Sequence, residues 1–246
     1  MKKLFIIIVM VTFVMSLTAC TIQIGSGNDK PGVSISTGST KSEDKKIEMQ
    51  GISDVNLKIN MGVGKLKLEG GTFNLMDGNF IYNVDSWKPV VDYNKSGTTA
   101  NLSIEQPPVN NINSYSNTKY EWNLKFNKDA VFNIDANVGV GESSIDLTDI
   151  NLKELNLQLG IGKSAVDISG NYKCDVDVDV KGGIGDSTIY VPKNMNVTIE
   201  TNNGIGNTEI DGFSHNGSTY TNNQNSKYKM KVDVHCGIGR IAIKQK

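Results

Sequence analysis

One tripeptide recurs six times along this chain and limits what it can fold into: Gly62-Val63-Gly64, Gly139-Val140-Gly141, Gly160-Ile161-Gly162, Gly183-Ile184-Gly185, Gly204-Ile205-Gly206 and Gly237-Ile238-Gly239. The last four intervals between copies are 21, 23, 21 and 33 residues. On both sides of each copy apolar and polar residues alternate with period 2, the pattern of half-buried strands. Five residues before the first glycine stand Leu57, Ile134, Leu155, Val178, Ile199 and Val232, and four after the second stand Leu68, Ile145, Val166, Ile189, Ile210 and Ile243. A strand, a glycine corner and a second strand cannot bury a core alone, but stacked copies share one interior. The sequence therefore predicts an all-β fold, a single-chain parallel β-solenoid with about 21 residues per rung. Nine or so rungs would make a rod of roughly 45 Å. The glycines mark sharp turns with positive φ and close backbone approach. Lys244 and Lys246, beyond the last strand, would discourage pairing at that edge.

Residues 70–126 lack the tripeptide but keep strand-like runs at 80–84, 88–93, 101–105 and 120–126, read as degenerate rungs or an N-terminal sheet. Phe80, Tyr82, Trp87, Tyr93, Tyr115, Tyr120 and Trp122 gather there and should fill or cap that end of the core. Two polar, Asn/Ser-rich loops, 106–119 and 214–227, interrupt the stack. Tyr115 in the first could contribute to a contact surface, because loops on rigid scaffolds carry recognition.

Ahead of the repeats, Met1-Lys2-Lys3 and an apolar run over 4–17 read as a secretory signal, too short for a comfortable membrane span. The run ends in Leu17-Thr18-Ala19-Cys20, which looks like a bacterial lipobox. Residues 1–19 are then a cleaved signal and Cys20 carries a diacylglyceryl anchor, placing the chain on the outer face of the bacterial plasma membrane. Residues 20–46 hold few large apolar groups and read as a flexible tether, leaving 47–246 as the solenoid domain. Loss of Lys2 and Lys3 with the signal moves the formal charge from -1 to -3, so nothing suggests nucleic acid. Cys174 and Cys236 fall too far apart along the expected strands for a disulfide and on inward parity, as small buried thiols.

With the glycine tripeptides, the segments Gly70-Gly71-Thr72-Phe73, Phe80-Ile81-Tyr82-Asn83, Trp87-Lys88-Pro89-Val90-Val91-Asp92-Tyr93, Gln106-Pro107, Trp122-Asn123-Leu124, Ile145-Asp146-Leu147 and Val166-Asp167-Ile168 carry a resemblance to the toast-rack family of bacterial envelope proteins. It implies a stacked β fold distantly similar to the C-terminal domain of a membrane regulator of antibiotic stress, with no enzymatic activity and no established ligand. Two departures stand out. Ala130-Val131-Phe132 replaces a proline that relatives carry, and a lipid anchor replaces the upstream transmembrane helices of many of them.

The candidate chemistry is sparse. Gly160-Ile161-Gly162-Lys163-Ser164 lacks the first Walker glycine, since Leu157 stands there, and leads into a strand where a phosphate loop needs a helix. Gly182-Gly183-Ile184-Gly185 opens like a calcium β-roll, but Ser187 occupies the aspartate position. His215 and His235 have no triad partners and no metal-ligand spacing. Aligned on the glycines, acids stack at two outward positions: Asp135, Asp179, Glu200 and Asp233, with Asn156, four before the first glycine, and Glu69, Asp146, Asp167 and Asp211, with Tyr190, five after the second. Such stripes either sit in solvent among lysines or hold cations or cationic peptides. No cofactor is implied. The expected role is a non-catalytic interaction module whose partner is an envelope protein or a second copy, with a cation or peptide sensor and a polysaccharide-active enzyme as alternatives.

Overall fold

The computed structural model describes residues 37–108 and 117–246, and these contain strands and one short 3-10 turn, Asp85–Trp87. In chain order the strands are β1 (Lys41–Ile47), β2 (Asp54–Thr72), β3 (Met76–Tyr82), β4 (Val90–Ser96), β5 (Thr99–Glu105), β6 (Tyr120–Asn127), β7 (Val131–Asp146) and β8 (Asn151–Asp167). They continue as β9 (Val176–Val191), β10 (Asn196–Asn203), β11 (Asn207–Ile210), β12 (Ser214–Asn216), β13 (Thr219–Thr221), β14 (Lys229–Cys236) and β15 (Ile238–Gln245). β1 takes up residues 41–46 of the stretch expected to be tether, so among the described residues the first strand starts at Lys41. It pairs antiparallel with β3 over the whole of its length.

The repeat forms the predicted rungs. β2, β7, β8 and β9 are each one long strand bent at its glycine corner, and successive copies pair in parallel with the tripeptides in register. In β2, Val55, Leu57, Ile59 and Met61 point into the core before the corner and Leu66 and Leu68 after it. Inward parity thus switches from odd to even. The switch requires a backbone that L side chains rarely adopt: Gly64 has φ +145° and Gly162 φ +149°. A Cβ on Gly162 would also fall within 3.0 Å of the Gly141 carbonyl oxygen in the rung below. Both glycine properties, free φ and no side chain, are used at once.

The chain does not climb the stack in sequence. β5 and β6 together make a rung on the far side of β2, β5 pairing with its first half and β6 with its second. Where a corner would join them, the Gln106 side-chain carbonyl accepts from the backbone N–H groups of Gly62 at 2.8 Å and Val63 at 2.9 Å. At the other end β14 and β15, the last rung of the sequence, insert between β9 and the rung built from β10 and β11. The expected simple parallel solenoid is therefore corrected to a mixed sheet of 15 strands, parallel in the middle and antiparallel at the flanks. The cause lies in the connections. Residues 73–98 and 212–228 are long enough to carry the chain past a rung, and identical apolar parity lets any rung stack on any other.

Two further expectations change with this order. The loop at 214–227 holds the hairpin β12–β13, which pairs antiparallel with β10 and covers its edge. β15 is interior, so Lys246 guards no edge; its ammonium lies 2.5 Å from Asp167 and its amide donates to Val191 O at 2.9 Å.

The aromatic group fills the N-terminal end of the core as expected. Trp87, Tyr120, Trp122 and Phe80 are buried and meet edge to face or tilted at 5.7–5.8 Å, geometries that aromatic quadrupoles favour. The Tyr120 hydroxyl donates to Trp87 O at 2.7 Å. Tyr93 is half-buried, and Tyr115 lies outside the described residues. Cys174 and Cys236 are free thiols; Cys236 is buried and Cys174 only half so.

Candidate interaction surface

The corner that turns each rung also exposes one residue. The side chain between the two glycines sits at the rim of the core: Val140 is 45% exposed, Ile161 52%, Ile184 49% and Ile238 50%. Pairing registers Val63 with Val140, Val140 with Ile161, Ile161 with Ile184 and Ile184 with Ile238. Ile205 is bare at 87%, but it sits in the bend between β10 and β11, where the ladder to β14 and β15 is interrupted. Five β-branched residues from five rungs, Val63 to Ile238, thus form one apolar line about 19 Å long, flanked by glycines that offer no side chains to shield it. Sequence reading classed these positions as hydrophobic without asking which way they point. The signal was present, because an isoleucine between two glycines has no lateral neighbours of its own to bury it.

Beside this line runs a charged one. The residue after each second glycine is Lys65, Glu142, Lys163, Asp186, Arg240 or Asn207, here in spatial order. All six are exposed, and Lys65 reaches Glu142 at 3.1 Å. Val63, Lys65, Val140 and Glu142 line one shallow depression, so the apolar and charged lines share a surface. Alternation of sign is complete only because β15 inserts beside β9 and brings Arg240 next to Asp186.

The stacked acids fall in two columns with different surroundings. Before the corners the spatial order is Lys58, Asp135, Asn156, Asp179, Asp233, Glu200. Lys181 pairs with Asp179 at 2.9 Å, and Lys231 with Asp233 at 3.2 Å and Glu200 at 3.9 Å. After the corners Asp146 and Asp167 end β7 and β8, while Glu69 lies within β2. Asp146 accepts from the Thr148 amide at 3.0 Å and hydroxyl at 2.6 Å, and Asp167 from the Ser169 amide at 3.0 Å and hydroxyl at 2.5 Å, the side-chain-to-backbone turn that short acids favour. Burial opposes ionisation of Asp167, yet the Lys246 ammonium and Ser169 together hold its pKa below the ordinary carboxylate range. Lys67 at 2.7 Å, with Lys125 at 3.1 Å, keeps Glu69 low in the same way. Asp211 starts the turn after β11, its amide donating to Ile243 O at 3.2 Å.

The remaining candidates are dispersed. Gly160 to Ser164 lies inside β8, with a strand after it and no helix; Gly182 to Gly185 lies inside β9. His215 is exposed in the hairpin and stacks on Tyr220 at 5.5 Å, and His235 is exposed on β14. On the first-half outer face an asparagine ladder that sequence reading passed over crosses three strands: Asn133 donates to Asn56 at 3.1 Å and Asn56 to Asn101 at 2.9 Å. It lines an open groove of about 520 Å³ with Tyr93 and Asp135. Cys20 and the signal lie outside the described residues.

A family model described as the N-terminal domain of toast_rack matches residues 36–190. The chain belongs to the toast-rack family. A second model, described as the C-terminal part of LiaF in the response to cell wall-active antibiotics, matches residues 140–243 and so overlaps the glycine-cornered rungs of the toast-rack domain. A candidate cell adhesion protein of Clostridium sporogenes is 40% identical, with 85% of this chain and 100% of that one covered and a TM-score of 0.82. A candidate adhesin of Bacteroides fragilis is 11% identical, covering 86% of this chain and 100% of that one, with a TM-score of 0.38. No curated protein matches. The toast-rack match takes in the strands from β1 to β9, and the second match extends through the rungs that follow.

Proposed function

We propose that this toast-rack protein is an exported lipoprotein, held by a diacylglyceryl group on Cys20 at the outer face of the bacterial plasma membrane, where it acts as a non-catalytic interaction module of the cell envelope. The observation that carries the reading is the line of exposed Val and Ile side chains on a rigid stack of rungs. Apolar residues repeated in register on a surface mark contact sites, and rigid strands present them without an ordering cost. Similarity to a protein described in terms of cell adhesion supports the same class of role. The acids are spread along the stack, and Asp179, Asp233, Glu200, Glu69, Asp146 and Asp167 are engaged by lysines or turns, which supports a non-catalytic reading.

The test has two parts. Palmitate labelling in growing cells should mark the wild-type chain and spare Cys20→Ala; equal labelling would remove the anchor. Cross-linking on intact cells followed by purification should recover a defined envelope protein or a second copy of the chain, and recovery of neither would remove the interaction role.

A second reading, a sensor of cationic peptides or divalent ions with a part in envelope stress, draws on the similarity at residues 140–243 and on the run of Asp179, Asp233 and Glu200 in adjacent rungs. Calorimetry with calcium and with a polycationic peptide tests it. No heat at millimolar ligand would end it.

A further inference from the structure

We infer that the corner surface is a self-pairing site: two copies of the chain lie antiparallel, each apolar line on the other, related by a two-fold axis passing between the rungs of Ile161 and Ile184. This inference rests on the interaction reading above and names the partner.

The charge pattern decides the partner and its register. Along the stack the line beside the apolar residues reads Lys65, Glu142, Lys163, Asp186, Arg240, Asn207. A two-fold axis in the interface plane, perpendicular to the stack, places this line against its own reverse. With the axis between the third and fourth rungs, Lys163 faces Asp186 of the other copy, Glu142 faces Arg240 and Lys65 faces Asn207. Every charged residue of the central four rungs meets its opposite, on both sides of the axis. A shift of the axis onto the Ile161 rung would set Lys163 against Lys163, Glu142 against Asp186 and Lys65 against Arg240, each a like-charge contact, and those are destabilising.

The other flank tolerates the same arrangement. Two residues before the first glycines stand Asn60, Asn137, Gln158, Lys181, His235 and Asn202 in spatial order. Reversed on itself, this line opposes Lys181 to Gln158, His235 to Asn137 and Asn60 to Asn202, with no like charges in contact. A parallel pair would instead set the charged line against the amides and waste the alternation. The apolar components match too, Ile161 facing Ile184 and Val140 facing Ile238. Such an isologous contact closes at two copies. The apolar, charged and amide lines together would bury roughly 500 Å² per copy, on the order of 1,000 Å² in all, the lower limit for a specific interface. Pairing should therefore be reversible and micromolar or weaker.

Charge reversal on full-length chains carrying two different tags, co-expressed and co-purified in mild detergent, tests the geometry. Wild-type should retain wild-type. Lys163→Glu alone sets two pairs of acids against each other and should lose self-retention at least tenfold, as should Asp186→Lys, which sets lysines together. Co-expressed, Lys163→Glu and Asp186→Lys chains meet only opposite charges and should regain pairing. Neither variant gains a new intrachain partner in the mixture, and a misfolded chain would not recover, so rescue reports the interface. Wild-type that fails to retain itself, variants that pair as wild-type does, or a mixture that pairs no better than its components would overturn the inference. A chain that is monomeric yet captures another envelope protein in the cell would sink self-pairing and leave the interaction module standing; one that captures nothing would remove both.

Discussion

Replacing Gly162 by alanine should be among the most damaging single changes that add one methyl group to this chain. The residue holds φ +149°, and confining a side chain to so sparsely populated a region costs about 1–3 kcal/mol. The added Cβ also overlaps the Gly141 carbonyl oxygen, so the two rungs must separate at the corner. Each ladder hydrogen bond lost is worth about 1 kcal/mol, and opening the corner should break about two. The sum, about 3–5 kcal/mol, is a large share of the 5–15 kcal/mol by which domains are usually stable. For a domain of this size it lowers Tm by about 6–20 °C. Two other glycines separate the causes. Gly97 has φ +62° but nothing within 4 Å of a Cβ, so Gly97→Ala carries only the backbone cost, about 1–2 kcal/mol. Gly62 has no positive φ and meets only the end of the Gln106 side chain at 3.3 Å, so Gly62→Ala should be mildest. Thermal and urea unfolding followed by circular dichroism would rank the three. If Gly162→Ala is no worse than Gly62→Ala, close rung contact does not set the corner.

Other consequences can be checked in the same way. The pKa of Asp167 is lower folded than its ordinary value, so its contribution is present above the unfolded pKa, about 3.9, and vanishes as pH falls through the lowered one; Asp167→Asn should flatten the acid limb of a stability-against-pH curve. Tyr82, pushed up to about 12 by burial and by its hydrogen bond to Glu43, should show the opposite sign: stability falls from pH 10 upward as the unfolded phenol ionises first, seen by absorbance titration. Deleting residues 229–246 should unfold β10 and β11 as well, because the lost rung lies between them and β9; hydrogen exchange that leaves 196–210 protected would contradict the inserted order.

The anatomy of a single rung was legible in the sequence because it depends on neighbours close in the chain. Period-2 alternation says which residues face inward, and paired glycines say where parity must reverse. Those signals also predicted the aromatic filling near Trp87 and Trp122, since large apolar rings concentrated beyond the regular repeats have one interior to enter. A stripe read only by position could not reveal that Asp146 and Asp167 fold back onto Thr148 and Ser169. What tertiary structure alone decided is the order of the rungs. Every rung offers the same apolar face and the same backbone donors and acceptors, so local pattern assigns none of them a place; the long connections, the Gln106 side chain at one end and the β12–β13 hairpin at the other do so. That order puts Arg240 beside Asp186 and makes the alternating line complete, a property of the stack that the order of residues in the chain conceals.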